Sequence, residues 1–252
     1  PTHSVQVVGP DTDQTPFDQI TSGSRSTHMM GNAVLRAAQA VADEVRELGR
    51  RRYEIEPGEI TLADGHLHAP DGQSAPYADL LNWAGVTQVE KRGEFKTGQS
   101  LDENHQGVTC SHWHQGAGAC EIEVDIETGK LTVTRYAGTS WAGKVVNPVR
   151  ARAQDQGNII YGLGPTLCEE MVFDGGQVIN ANLADYLIPS ILDIPLHLRT
   201  ASLESKEKDA DMEGIGEMTL PCVAPAVANA LYDALGIRLR DLPLTAERIW
   251  RA

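Results

Sequence analysis

The stretch EIEVDIETGKLTVT, residues 121–134, decides the fold class of this chain. Ile122, Val124 and Ile126 alternate with acidic residues, which indicates a strand with one buried and one solvated face. A Thr-Gly pair then predicts a tight turn into a second strand at Leu131–Thr134. The sequence therefore contains an antiparallel hairpin at its centre.

Two further strand signals lie outside this hairpin. Ser4–Val8 alternates like a short strand and stops at a Gly-Pro pair. Met171–Phe173 turns at Asp174-Gly175-Gly176 into Gln177–Ile179, which predicts a second hairpin. Residues 53–95 are irregular apart from short strand signals.

Helical spacing of apolar residues occurs near both ends of the chain. One helix is predicted from Met30 to Leu48, with Gly49 as its C-terminal stop. Another is predicted from about Pro221 to Leu235, ended by Gly236.

A third helix is interrupted by glycines. Asn147-Pro148 has the form of an N-cap followed by proline at the first helical position. The pattern then reaches about Leu167 through Gly157, Gly162 and Gly164, and each interior glycine costs about 0.5–1 kcal/mol relative to alanine. Either another element approaches this helix closely, or the helix is broken into two.

These elements predict a mixed α/β (α+β) chain with antiparallel hairpins and packed helices. We expect a first lobe at residues 1–100, with a polar loop and the long helix. The second lobe, residues 101–252, would hold the hairpins, the glycine-interrupted helix and the loop before the last helix.

Charge and hydropathy exclude several classes of function. Thirty-five acidic against 21 basic residues give a formal charge of −14, which argues against nucleic acid binding. No apolar run approaches the roughly 18 residues of a membrane span. The residues after Pro1 do not resemble a signal peptide, so we expect a cytoplasmic location.

The cysteines and histidines do not form an evident metal site. Four cysteines are far apart without a CxxC pair, and we expect reduced thiols that hold neither zinc nor an iron–sulfur cluster. Cys110–His114 places three possible ligands at alternate positions. Because a fourth ligand is not evident, partly buried polar residues on a strand are the favoured interpretation.

The string Gly214-Ile215-Gly216-Glu217 precedes the last helix. Its glycines allow close approach to a ligand, and a carboxylate walled by Ile215, Met218 and Leu220 would be partly desolvated, as a general base requires. From the string alone, an ordinary carboxylate near the positive end of a helix is the favoured interpretation.

The polar loop Thr21–Thr27 directly precedes the first long helix. Its hydroxyl and backbone N–H groups could bind an anion, with a charge-assisted contact from Arg25. Simple capping by Ser26 or Thr27 is the more common arrangement. Gln154 and Gln156 could recognise a heterocycle edge, although most helix glutamines only face water.

Taken together, the chain resembles the molybdenum hydroxylases, which include xanthine dehydrogenases, aldehyde oxidoreductases and aerobic carbon monoxide dehydrogenases. The resemblance spans nearly the whole chain and is weakest at residues 50–115. It rests on five stretches in chain order: Val5–Val8 with Asp11-Thr12-Asp13; Gly23–Thr27 with Gly31–Val34; Glu123–Asp125 with Thr128-Gly129; Asn147-Pro148 through Gln154 to Gly162–Gly164 with Glu169-Glu170; and Gly214–Glu217.

The resemblance is to the C-terminal part of the family's molybdenum subunit, and it implies molybdopterin, often in the cytosine dinucleotide form. By position, Glu217 corresponds to the family's active-site base, which accepts the proton of the attacking oxygen. Gly23, Ser24, Ser26 and Thr27, with Arg25 among them, fall on a cofactor-binding loop. Gln154 falls on a pterin-contacting glutamine, and Gly216 lies beside the base.

The resemblance also implies partners, because the first molybdenum-binding domain and the iron–sulfur modules are absent from this chain. We expect a larger molybdenum-binding subunit or domain, an iron–sulfur subunit and an FAD subunit. Two features depart from the family: Gln156 replaces a common glutamate, and Glu213 stands where a basic residue often precedes the loop.

Three hypotheses follow, and the chain could be a separate subunit or a fragment of a longer polypeptide in each. It could be the catalytic part of a split molybdenum hydroxylase that acts on an aldehyde or N-heterocycle. It could be a non-catalytic structural or assembly subunit. It could also carry out hydration or hydrolysis without net redox chemistry.

Overall fold

The computed structural model of the protein describes residues 2–18, 20–98 and 100–252. They form two compact units, each with its own hydrophobic core. One unit contains Pro1–Ile20 and Met29–Gly98, and the other contains Thr21–His28 and Gln99–Ala252. The polar loop before the long helix therefore belongs to the same unit as the C-terminal half of the chain.

The first unit is built on a long helix and a small antiparallel sheet. Leu48, Leu67 and Leu80 are fully buried at its centre, since the apolar stripe of the helix faces the sheet. Its elements are α1 (Ser26–Tyr53, of which the first three residues belong to the other unit), β1 (Thr61–Ala63), β2 (His66–His68), β3 (Ser74–Pro76) and α2 (Tyr77–Ala84).

Three sequence predictions in this unit are wrong. Residues 53–95 are not irregular apart from short strands, because Tyr77–Ala84 forms helix α2. Helix α1 does not stop at Gly49 but continues to Tyr53, because the absent side chain lets the helix pack directly against Leu67. Ser4–Val8 is not a strand, and a short 3₁₀ turn at Thr2–Ser4 leads into irregular backbone. No described strand pairs with this segment, and an unpaired strand lacks the hydrogen bonds that stabilise it.

The second unit contains a three-stranded sheet covered by helices. Its first strands are β4 (Ser100–Leu101), β5 (Gly107–Val108), β6 (Gly116–Val124) and β7 (Leu131–Trp141). They are followed by α3 (Pro148–Leu167), β8 (Phe173–Asp174), β9 (Gln177–Val178), β10 (His197–Leu203), α4 (Val223–Leu235) and α5 (Ala246–Trp250). The strand order is β10-β7-β6, with β6 antiparallel and β10 parallel to β7. Both predicted hairpins and the mixed α/β class are confirmed, but Ile126, predicted on the buried face of the first strand, lies in the turn after β6 and is 74% exposed.

Helix α3 is continuous, which decides between the two alternatives for its glycines. A Cβ at Gly162 would lie 2.6 Å from Val223 Cγ2, so this glycine lets α3 and α4 pack closely. The predicted N-cap is confirmed, because the Asn147 side chain accepts a 3.0 Å hydrogen bond from the Arg150 N–H. This bond satisfies one of the free N–H groups in the first turn of α3.

Strand β10 and helix α5 were absent from the sequence prediction. The inward positions of β10 include Thr200 and Ser202, so its apolar alternation is weak. Helix α5 has only five residues, too few to show a helical period. None of the described helices combines the length and the apolar character needed to cross a bilayer.

Candidate functional site

A cleft of about 610 Å³ in the second unit collects the residues singled out from the sequence. The eight of them all line it: Gly23, Ser24, Arg25, Ser26, Thr27, Gln154, Gly216 and Glu217. They come from three segments distant in sequence, namely the loop before α1 with the first two residues of that helix, the N-terminal half of α3 and the loop before α4.

The loops at Gly23-Ser24 and at 214–217 pack backbone against backbone. A Cβ at Gly214 would overlap the Ser24 carbonyl oxygen, and one at Gly216 would lie 2.9 Å from Ser24 Oγ. Gly23 and Ser24 both have positive φ, of 63° and 55°, which turns the chain sharply at the contact. Both glycines of the GIGE string are therefore required by this close approach.

Glu217 faces the cleft and is exposed. Its Oε2 accepts a long hydrogen bond of 3.4 Å from Ser24 Oγ. The partial desolvation expected from the sequence is not found in this chain, because Met218 points into the interior and is only 3% exposed. Of the three apolar residues expected to wall the carboxylate, Ile215 alone lines the cleft.

Gln154 connects α3 to the same loop. Its Nε2 donates a 2.7 Å hydrogen bond to the Gly216 carbonyl oxygen, directly before Glu217 in the chain. Its amide oxygen has no partner among the described residues and is available to a ligand in the cleft. Gln156 does not line the cleft.

Asp155 is a buried residue that sequence reasoning missed. Its Oδ2 accepts hydrogen bonds from Ser140 Oγ on β7 at 2.9 Å and from Ser202 Oγ on β10 at 2.6 Å. Its backbone carbonyl accepts a 2.9 Å bond from Thr219 Oγ1. Asp155 therefore ties α3 to both strands and to the residues after Glu217. The signal available in the sequence was its position about one helical turn after Ala151, which places both residues on the same face of α3, and both are buried.

Two histidines bind the segment that leads into the GIGE string. His28 Nδ1 donates to the Met212 carbonyl oxygen at 2.7 Å, and His112 Nε2 accepts from the Gly214 N–H at 3.4 Å. Their ring centroids lie 4.8 Å apart. Burial lowers the pKa of His112, which favours the neutral form that this acceptor role requires.

The Cys110–His114 segment differs from its prediction in conformation. Residues 109–115 have no strand structure, because β5 ends at Val108 and β6 begins at Gly116. Among the described residues, no group of three or more His, Cys, Asp or Glu is arranged to hold a metal ion.

Two cations that the sequence prediction did not include also line the cleft. Lys144 follows β7, and Arg150 is in the first turn of α3. Glu213 also lines the cleft, and its Oε1 accepts a 3.1 Å hydrogen bond from Trp141 Nε1. The cleft is therefore lined by cations and carboxylates together, with Arg25 as its third cation.

Comparison with known proteins identifies the relatives of this chain. Residues 1–195 match the family model described as molybdopterin cofactor-binding domain. The gamma subunit of the 6-hydroxypseudooxynicotine dehydrogenase complex of Paenarthrobacter nicotinovorans is 28% identical, over 98% of this chain and 32% of its own length. The xanthine dehydrogenase molybdenum-binding subunit of Escherichia coli O157:H7 is 29% identical, over 99% of this chain and 33% of its own.

The fold also matches a solved enzyme structure. Quinoline 2-oxidoreductase from Pseudomonas putida 86 superposes with a TM-score of 0.77 at 26% identity, over 92% of this chain and 30% of that one. The chain thus spans about a third of the length of the relatives it matches. The resemblance stated from the five sequence stretches is confirmed.

Proposed function

The chain belongs to the molybdopterin cofactor-binding domain family, and from this premise we propose that it is the molybdopterin-binding catalytic portion of a molybdenum hydroxylase. The proposed reaction is oxidative hydroxylation of an aldehyde or N-heterocycle with oxygen derived from water. The observation that carries it is the cleft in which the Gly23–Thr27 loop, Gln154 and the GIGE string meet. Ser24 is the central contact of this cleft, because it packs against both glycines of the GIGE string.

The residues of the cleft fit a pterin cofactor. The backbone contact at Gly214 and Gly216 leaves no side chain over the loop at Ser24. The free amide oxygen of Gln154 can accept from a pterin N–H, and the hydroxyls of Ser26 and Thr27 can bind phosphate oxygens. When bound, the molybdenum cofactor supplies the redox chemistry of the reaction. We propose the cytosine dinucleotide form of the pterin.

Glu217 is the proposed base. Its carboxylate would take the proton from the oxygen nucleophile as that oxygen attacks the electron-poor carbon of the substrate. Ser24 Oγ and the Gln154 bond to Gly216 would orient it, since they hold the carboxylate and the backbone beside it. Because Glu217 is exposed in this chain, exclusion of water would depend on a covering domain.

The rest of the assembly is proposed on the same basis. The chain spans about a third of its relatives' length, and two of these are described as subunits. We propose a larger molybdenum-binding subunit or domain that completes the pocket. An iron–sulfur subunit and an FAD subunit would carry electrons away from it.

The exposure of Glu217 and its long bond to Ser24 favour one alternative, a non-catalytic subunit that keeps the fold without the chemistry. A hydratase or hydrolase relative would use the same carboxylate without electron transfer.

The test is to purify the native assembly, measure its molybdenum and pterin content, and assay dye reduction with and without Glu217→Gln. Loss of a general base is expected to reduce turnover by roughly 10²–10⁴-fold, while the exposed-residue control Glu207→Gln keeps wild-type turnover and both variants keep their metal. An assembly without molybdenum, or turnover within a few fold of wild type for Glu217→Gln, would contradict the proposal. Turnover without substrate-dependent dye reduction would indicate the non-redox alternative.

A further inference from the structure

Residues 171–196, the stretch between α3 and β10 that contains β8 and β9, expose a concentration of apolar side chains. About a third of the large apolar side chains that are exposed among the described residues lie in this stretch, which is about a tenth of the chain. We call it the apolar segment. Its most exposed members are Leu183, Ile191, Leu192 and Leu196. A concentration of this kind on a protein surface marks a site of interaction.

The backbone of the apolar segment is held in place by its own polar side chains. Near its start, Asn180 Oδ1 accepts a 2.9 Å hydrogen bond from the Val172 N–H, and Asn180 Nδ2 donates a 2.7 Å bond to the Glu170 carbonyl oxygen. Near its end, Asp193 Oδ2 accepts bonds from the N–H and the hydroxyl of Ser190, at 2.7 and 2.8 Å. The apolar side chains therefore stand on an ordered backbone, which lowers the entropy cost of binding a partner.

The apolar segment is also fastened to the rest of the second unit. The Tyr186 hydroxyl donates a 2.8 Å hydrogen bond to Glu169 Oε2, just after the end of α3. The next residue, Glu170, accepts a 2.8 Å bond from Arg248 Nη2 on α5. The exposed apolar side chains thus belong to a fixed surface of the folded unit.

Charge disfavours a second copy of this chain as the partner. The apolar segment contains no lysine or arginine, and its charged residues are Asp174, Asp185 and Asp193. Asp185 and Asp193 already accept hydrogen bonds within the segment. Two copies would bring acidic residues together on chains of formal charge −14 each, which is unfavourable at an interface. The segment therefore fits a partner whose apolar face is bordered by basic residues, one of them opposite the exposed Asp174.

The relatives contain additional polypeptide that could cover this surface. This chain spans about a third of their length, and the matched family model runs through the apolar segment as far as residue 195. The same fold in quinoline 2-oxidoreductase accounts for only 30% of that chain. None of residues 171–196 lines the cleft, so the surface lies outside the proposed cofactor site.

We propose that the apolar segment is a docking surface for the additional polypeptide of the molybdenum subunit. That polypeptide covers Ile191 and Leu192 with apolar side chains and faces Asp174 with a basic residue. The inference rests on the proposed function for the identity of the partner. It adds a contact outside the cleft, which would hold the two parts of the subunit together even when no cofactor is bound.

Photochemical cross-linking in the native assembly tests which molecule covers the apolar segment. The photoreactive residue p-benzoylphenylalanine is incorporated in place of Leu192 and, as a control, in place of Leu101, an exposed leucine on β4 outside the segment. We expect position 192 to cross-link to peptides of the molybdenum subunit that lie outside these 252 residues. Position 101 should give no cross-link to the same peptides. Mixing chains of normal and heavy isotope composition identifies any cross-link to a second copy.

The double variant Ile191→Ser/Leu192→Ser tests whether these side chains hold the contact. Both side chains are more than three-quarters exposed in this chain, so their loss leaves its own core intact. We expect amide hydrogen exchange across residues 171–196 of the assembly to become at least about tenfold faster. The reason is that burial of one large apolar side chain is worth more than the ~1.4 kcal/mol that a tenfold change represents. The control Leu101→Ser should leave this exchange unchanged.

Three outcomes overturn the proposal: cross-links from position 192 to a second copy or to an iron–sulfur or FAD subunit, no cross-link at all, or unchanged exchange in the double variant. Failure of the proposed function is seen separately, in the molybdenum content and in the turnover of Glu217→Gln. An assembly without molybdenum can still be cross-linked, so the two failures are distinguishable.

Discussion

Gln154 Nε2 lies 2.7 Å from the carbonyl oxygen of Gly216, 62 residues further along the chain. This hydrogen bond anchors the backbone beside Glu217 to a helix whose next residue, Asp155, is fixed to two strands. The backbone that leads into the proposed base is therefore held by contacts with two other segments of the chain.

Gly214→Ala is expected to displace the GIGE string, because the added Cβ would overlap the Ser24 carbonyl oxygen. Overpacking of this kind costs typically 1–3 kcal/mol of stability, and we expect activity to fall with it. The matched control is Gly157→Ala in α3, where a Cβ meets nothing within 4 Å. That change should stabilise by about 0.5–1 kcal/mol. Denaturant unfolding of both variants checks the prediction, and equal effects would contradict it.

Gln154→Ala is expected to loosen the residues around Glu217, because the Gly216 carbonyl loses its donor. A hydrogen bond of this kind contributes about 1 kcal/mol, which corresponds to roughly fivefold faster amide exchange in residues 214–218 where opening is local. Gln156→Ala, two residues away on the same helix, serves as the control. Unchanged exchange in the Gln154 variant would mean that the bond does not restrain the loop.

Asp155→Ala is expected to reduce the free energy of unfolding by roughly 2–5 kcal/mol. The change removes the acceptor of two serine hydroxyls and leaves a cavity where the carboxylate was. Removing the hydroxyls as well, in the triple variant with Ser140→Ala and Ser202→Ala, should cost less than the sum of the separate changes. Thermal unfolding of the single, double and triple variants measures this coupling. Strict additivity would show that the three side chains do not act as one network.

His112 is expected to make stability depend on pH. Burial is the main cause that lowers the pKa of His112, with His28 and His114 adding to it and Glu213 and Asp211 opposing it. The unfolded chain then binds more protons than the folded one, so the contribution of His112 to stability is fully present above its ordinary pKa of about 6.5. This contribution is lost as the pH falls below that value toward the lower pKa of the folded state.

The variant His112→Gln tests this pH dependence, since its amide oxygen can still accept from the Gly214 N–H but cannot titrate. We expect a smaller loss of stability between neutral and mildly acidic pH than in wild type. His197→Gln, an exposed histidine on β10, is the control and should follow the wild-type curve. Parallel curves for all three proteins would rule out His112 as the origin.

Local rules accounted for many of the elements. Neighbouring residues set the backbone angles and the two-residue alternation of a strand, so local patterns can predict them. Examples are the hairpin at residues 121–134, the Asn147 cap and Gly236 at the end of α4. Gly49 shows where such rules stop: glycine after an apolar run predicts a helix end, yet here it serves the packing of α1 against Leu67.

The sequence by itself determined the hairpins, the helix caps, the family and the short strings that line the cleft, because these depend on residues near each other in the chain. Only the tertiary structure decided that Ser24 meets Glu217 across 193 residues and that Asp155 joins α3 to two strands. It also decided that Lys144 and Arg150 line the same cleft as Ser24 and Glu217. The physical reason is that such contacts depend on which faces of distant elements pack together, and this is set by the burial of the whole unit rather than by any local pattern.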